Sequence, residues 1–255
     1  WLEGNKLIDH LLLLIVALVS NIFSAFSGGG AGVIQLPAIL LLYEMPFITA
    51  LASHKVATVA LGVGATLKYF KKINFDINFI TLCLIIGLPG VVAGANVISM
   101  IDDSIARIML GVLIIMIGLY SFFSKNFGEQ STQVNQSFVQ QIITVLTITF
   151  IAVLNGSLSA GTGLIFTVFL IIFCGMDYKT AIAYTLIIVG FFYNLAGAIA
   201  LGIFTQINTS IIVPLVLGSL LGGYLGAKLS LSKDNKTIKN IYQLVTIAVG
   251  TSLIL

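Results

Sequence analysis

The chain has 255 residues, 58% of them hydrophobic and 8% charged, with a formal net charge of +3 and a mean hydropathy of +1.12. Soluble domains carry about 25% charged residues, so this composition excludes a soluble globular domain. Apolar runs of roughly 20 residues argue for helices rather than the short alternating strands of a barrel, and the expected fold class is an all-α polytopic membrane protein.

Ten candidate membrane segments follow in chain order: residues 7–27, 32–43, 46–70, 77–100, 104–123, 138–155, 163–175, 179–203, 209–229 and 238–255. Segments 32–43 and 163–175 are too short to cross about 30 Å of hydrocarbon at about 1.5 Å per residue. Each directly follows a glycine cluster, so each completes a broken helix or forms a re-entrant hairpin with its predecessor; both arrangements are open at this stage. The run from Leu7 is too long, and lacks the basic start, to read as a cleavable leader. Pro46 suits a first helical turn, and Asp76, Asp103 and Asp177 read as N-caps. A polar stretch separates a first repeat, residues 1–123, from a second, residues 138–255, and residues 124–137 form a cytoplasmic linker. With an outside N-terminus and every segment crossing, Lys68, Lys71, Lys72, Lys125, Lys179, Lys228, Lys233, Lys236 and Lys239 fall on the cytoplasmic side. Only Lys6 and Arg107 fall outside, and Lys55 lies within a span, which is the positive-inside bias.

The two halves are related. Gly30-Ala31-Gly32-Val33-Ile34 lines up with Gly161-Thr162-Gly163-Leu164-Ile165, 131 positions downstream. At the same offset Thr49-Ala50-Leu51-Ala52 meets Thr180-Ala181-Ile182-Ala183, and after a one-residue slip Gly90, Gly94 and Ala95 meet Gly222, Gly226 and Ala227. Duplicated halves with an odd number of spans start from opposite sides of the membrane. The expected architecture is therefore two inverted five-segment repeats, and glycine-broken helices at matching positions point to a transport site.

Unwound backbone at membrane depth is tolerated where it is buried in protein or lines a cavity, and the helix that follows presents free N–H groups to anions. This selects Gly28, Gly29, Gly30 and Gly32 in the first cluster and Gly161 and Gly163 in the second. Ser27, Ser157, Ser159 and Thr162 add hydroxyls; Gln35 and Asn155 add amides. Close packing through Gly28-x-x-x-Gly32 is the competing reading. His54 and Lys55 are ionisable within an apolar span, where each costs roughly 2.5–3.5 kcal/mol. His54 shares a helical face with Thr58, Gly62 and Thr66. Snorkelling competes with an anion-binding role for Lys55, and an interhelical hydrogen bond with a proton-transfer role for His54. The matching positions in the second half, Thr185 and Leu186, are uncharged. Thr185 and Asn194 complete the candidate substrate-binding set, with interhelical bonding as the alternative. The spaced glycines Gly218, Gly222 and Gly226, and Gly90 and Gly94, read as helix packing.

Enzymatic motifs are absent: there is no His-Glu-x-x-His, no pair of intramembrane aspartates, no nucleophile elbow and no Walker loop. The chain is not expected to be an enzyme. Neither a metal nor a cofactor is expected, with proton coupling left open, and nucleic-acid binding has no support. Cys83 and Cys174 lie in apolar segments and read as structural thiols. The expected partners are a small anionic substrate and the lipid bilayer; the oligomeric state is open.

The run Ser27-Gly28-Gly29-Gly30-Ala31-Gly32-Val33-Ile34-Gln35-Leu36-Pro37, the Ala50–His54 stretch and the Lys71-Lys72-x-Asn-Phe-Asp76 turn resemble the sulfite exporter TauE/SafE family. So do Gly156–Gly163, Ala181–Thr185 and Gly218–Ala227 in the second half. The resemblance covers roughly residues 10–255. It implies a multi-pass carrier of the bacterial inner membrane, an exporter of small sulfur-containing anions such as sulfite or sulfoacetate, working by alternating access. An anion channel, or a carrier of other small organic anions, is the alternative. Two departures stand out: His54-Lys55 occupies a place expected to hold small hydroxyl or apolar residues, and Thr167-Val168 stands where the first half has Leu36-Pro37.

Overall fold

The computed structural model describes residues 2–123, 130–131, 137–238 and 240–241. All regular structure among them is helical: α1 Leu2–Ser27, α2 Ala31–Tyr43, α3 Phe47–Tyr69, α4 Ile77–Ser99, α5 Asp103–Phe123, α6 Phe138–Ser157, α7 Thr162–Cys174, α8 Tyr178–Gly202 and α9 Thr209–Ser232. Six of these (α1, α3, α4, α6, α8 and α9) are long and apolar enough to cross a membrane, and the protein is an all-α, multi-pass membrane protein. Helices α2 and α7 have 13 residues each, about 20 Å of rise, and are too short to cross. The expected segment 238–255 lies outside the described residues from 242 onward, as does most of the linker 124–137.

Helix starts follow local chemistry. Asp76 accepts from the amides of Asn78 and Phe79, and Asp177 from those of Lys179 and Thr180; both are the expected caps. At α5 the cap is Asp102 rather than Asp103. Asp102 accepts from the Ser104 amide and hydroxyl, and those bonds hold its carboxyl below the usual carboxylate range. Asp103 lies one position inside the helix, where it accepts from the Phe47 amide and pairs with Arg107 at 2.8 Å. Pro46 stands just before α3, and its carbonyl receives the amides of Thr49 and Ala50.

Two helices form the centre. Two thirds of the most apolar stretch of α3 and of α8 is buried (67% each), against 22% for α6. Around them α1 lies along α9, and α4 along α6. The first helix of each half thus packs on the fourth helix of the other. Small residues make the approach close: a Cβ at Gly222 would sit 2.7 Å from the Leu18 carbonyl oxygen, and one at Gly90 3.0 Å from the Ala152 side chain. The starts of α3 and α8 are tied in the same way, by Asp103 accepting from the Phe47 amide and Asn235 from the Lys179 amide.

Helix α8 departs from the uniform helix expected over 179–203. From Leu186 to Tyr193 it widens into a π-helical stretch. Asn194 donates through its side chain to the Val189 carbonyl at 2.6 Å, five residues back, and Gly62 of α3 abuts the backbone of Gly190 and Phe191. Such widened turns recur at functional positions.

Candidate functional site

The site is built from two broken helix pairs. Helix α1 ends at Ser27, and both the Gly28 and Gly29 amides fold back to the Ser24 carbonyl. Gly28, Gly29 and Gly30 then run at φ +91°, +143° and +103°, which glycine adopts at little cost, and α2 begins. In the second half α6 ends at Ser157, Ser159 and Gly161 take φ +62° and +70°, and α7 begins. The two turns touch. The Thr167 hydroxyl donates to the Gly28 carbonyl at 2.8 Å, and a Cβ on Gly29 would lie 2.5 Å from the Leu164 amide nitrogen.

Between the turns lies a cavity of about 30 Å³, room for about two water-sized groups. Ser24 of α1 contributes, as do Gly29, Gly30, Ala31 and Gly32 of the first turn and His54, Thr58 and Leu61 of α3. The second turn adds Ser159, Gly161, Thr162 and Gly163; α8 adds Thr185, Leu186, Val189, Gly190 and Asn194. Every polar side chain in this wall is less than a tenth exposed. Neither short helix has a side-chain cap. Among the described residues nothing accepts from the amides of Ala31, Gly32 and Gly163, so first-turn N–H groups of both helices remain available at the cavity.

Behind the wall sits Lys55, fully buried. Its Nζ reaches the Asn155 carbonyl at 2.6 Å, Asn155 Oδ1 at 3.3 Å and Asn194 Oδ1 at 3.3 Å. Both amides pass the connection to the cavity: Asn155 donates to the Thr162 hydroxyl at 3.0 Å, and the Ser159 hydroxyl donates to Asn194 Oδ1 at 3.1 Å. Among the described residues Lys55 meets no carboxylate; the ion pair found is Arg107–Asp103, at the start of α5. A buried cation without a counter-ion favours an anion nearby. His54 is also buried. Its Nε2 is 3.3 Å from the Thr58 hydroxyl, and its Nδ1 has no partner.

Of the residues selected from the sequence, Gly29, Gly30, Gly32, His54, Ser159, Gly161, Thr162, Gly163, Thr185 and Asn194 line the cavity. Lys55 and Asn155 stand one layer back, and Lys55 does not snorkel. Four lie elsewhere. Ser27 and Ser157 bond backward to carbonyls of their own helices, at Phe23 and Val153. Gly28 packs against Thr167 and Ile182. Gln35 belongs to a separate buried cluster, where Asn21 donates to it at 2.9 Å and to Ser219 at 3.0 Å. Ser24 was not selected, although the repeat offset that matches Gly30 to Gly161 also matches Ser24 to Asn155.

Comparison of the sequence with known proteins identifies its family. The Haemophilus influenzae "Probable membrane transporter protein" is 29% identical over 228 residues, covering 89% of this chain and 88% of its own. The "Probable membrane transporter protein ORF9" of Sinorhizobium is 24% identical, over 96% of this chain and 93% of its own. "Probable membrane transporter protein YunE" of Bacillus subtilis is 22% identical, over 96% and 97%. No solved structure matches the chain. The profile of the family described as "Sulfite exporter TauE/SafE" matches residues 12–253, and the chain belongs to that family.

Proposed function

We propose that the protein is a secondary transporter of small anions, with sulfur oxyanions such as sulfite as the first substrate class, exported across a bacterial inner membrane. The observation that carries this reading is the small cavity between the two turns, with free amides from two helix starts and Lys55, which meets no carboxylate among the described residues, behind them. Amides and hydroxyls suit oxygen-rich anions, and the small volume favours an inorganic oxyanion over a longer organosulfonate such as sulfoacetate. The names of the bacterial relatives support transport, and the family name supports sulfite and export.

The crosswise packing of α1 on α9 and α6 on α4 supports two inverted repeats, residues 1–123 and 138–255, joined by residues 124–137. Alternating access would rock these repeats about the cavity. Burial of every polar group in the cavity wall favours a carrier that occludes its substrate over an open anion channel.

Uptake of labelled sulfite into proteoliposomes preloaded with unlabelled sulfite tests the reading. A transient overshoot that unlabelled anions compete away is expected. Flux that follows the gradient without an overshoot would indicate a channel. An overshoot seen only with carboxylates would move the substrate class.

A further inference from the structure

We propose that the cavity takes up one proton with a doubly charged oxyanion and none with a singly charged one, and that His54 is the group that receives it. This rests on the anion reading above and adds to it the charge class of the substrate.

The hydrogen bonds set the protonation states. Lys55 Nζ faces three oxygen acceptors, on Asn155 and Asn194, and no donor. That matches the three N–H bonds of an ammonium, and we take the unoccupied site as holding this one positive charge. The Thr58 hydroxyl has a single proton, which it gives to the His54 carbonyl at 2.9 Å. We take it as the acceptor toward His54 Nε2, at 3.3 Å, the arrangement that uses both contacts. Nε2 then carries the ring proton, and Nδ1 is a bare lone pair with no partner, in a side chain that is 1% exposed.

Among the described residues that line the cavity, His54 is the titratable one. Gly32 of α2 lies against its ring and Thr58 bonds to it, and the cavity wall it shares adds Ser24 from α1, Ser159 from the second turn, and Thr185 and Asn194 from α8. The charged neighbour is Lys55 on its own helix. A second cation on His54 in the unoccupied site would face Lys55 across a medium of low dielectric, and is disfavoured.

Occupancy changes this balance. A monoanion offsets Lys55 and leaves His54 neutral. A dianion leaves one negative charge over, and a proton from solvent on the unpartnered Nδ1 removes it. Linkage makes the effect reciprocal: the proton tightens the dianion, and the dianion tightens the proton. The group that takes the proton is present in one repeat only, since the matching residue is Thr185.

Sulfate and methanesulfonate form a test pair of nearly equal size; across the neutral range the first stays a dianion and the second a monoanion. Sulfite itself titrates there and is not the probe. Binding to the purified full chain is measured from mildly alkaline to mildly acidic pH. Sulfate affinity is expected to rise by about tenfold per pH unit as pH falls, the slope of one linked proton, with methanesulfonate flat. In weakly buffered solution the protein should take up one proton per sulfate bound and none per methanesulfonate. In His54→Gln the ratio of the two affinities should no longer depend on pH. If that variant does not fold, the proton count on the unaltered protein still decides. Equal pH slopes for both anions, sulfate binding without proton uptake, or methanesulfonate binding with no sulfate binding at any pH would overturn the coupling and leave the anion site standing. Binding of neither anion would overturn the anion reading itself.

Discussion

The two broken turns share left-handed residues at their first and third positions, Gly28 and Gly30 against Ser159 and Gly161, but differ in chemistry. The first, Gly28-Gly29-Gly30-Ala31, carries no polar side chain and offers shape and amides. The second, Ser159-Ala160-Gly161-Thr162, has a serine where the first has Gly28 and a threonine where it has Ala31, and these hydroxyls bond to Asn194 and Asn155. The central helices diverge likewise. His54 and Lys55 of α3 match Thr185 and Leu186 of α8, while Asn194 of α8 matches Val63 of α3. Both copies must break a helix, so glycine persists in both. Each polar group serves one shared cavity, so one copy of it suffices.

Experiments can break this comparison, beginning with the backbone. Gly29→Ala should abolish counterflow and lower stability by about 2–6 kcal/mol, since its Cβ would meet the backbone of Gly163 and Leu164 at φ +143°. Gly30→Ala, also left-handed but with its nearest neighbour 3.5 Å away, should cost only about 1–3 kcal/mol. Equal thermal unfolding shifts for the two would show that the close approach of the turns is not what selects glycine.

Next is the buried cation. Lys55→Met should still insert and fold but lose at least about tenfold in anion affinity, because a charged hydrogen-bonded group of this kind contributes about 1.5–3 kcal/mol. An unchanged Kd would remove Lys55 from the anion site.

Ser159→Gly tests the second turn by making it resemble the first. Relief of the left-handed serine, about 1–3 kcal/mol, should at least offset the lost 3.1 Å bond to Asn194, about 0.5–1.5 kcal/mol, so stability holds or rises while transport slows. A fall in both would mean that the bond to Asn194 outweighs the strain of the serine conformation.

Gln35→Leu should shift stability by about 1 kcal/mol through its bond to Asn21 and leave anion affinity alone; a changed Kd would bring the α1–α2–α9 cluster into the site. The smallest effect is expected for Asp103→Asn. The second half already uses Asn235 in the equivalent bond, and the Arg107 pair is exposed and weak, so stability should move by less than about 1 kcal/mol. A larger shift would separate the two halves at the starts of α3 and α8.

The helices were legible in the sequence because hydrocarbon length and glycine punctuation mark them directly: α2 and α7 follow their glycine clusters, and Asp76 and Asp177 cap as composition suggests. Asp102 rather than Asp103 capping α5 is a one-residue choice between adjacent carboxylates that local pattern does not resolve. The wall of the cavity was legible where the repeat pointed to it. Gln35, in the same motif as Gly32, was not separable from it, because residues three apart on a helix share a face and only the packing of α1 and α9 draws Gln35 into its own cluster.

Composition by itself determined that the chain lies in a membrane as helices, since 8% charged residues leave too little polar surface for water. The duplication in the sequence determined where those helices break. Only the tertiary structure decided which polar residues share the cavity, that Lys55 meets carbonyl oxygens instead of snorkelling, and that α8 widens beside the site. Those outcomes depend on which helix packs against which, and the periodicity of a single chain segment does not carry the identity of its neighbours.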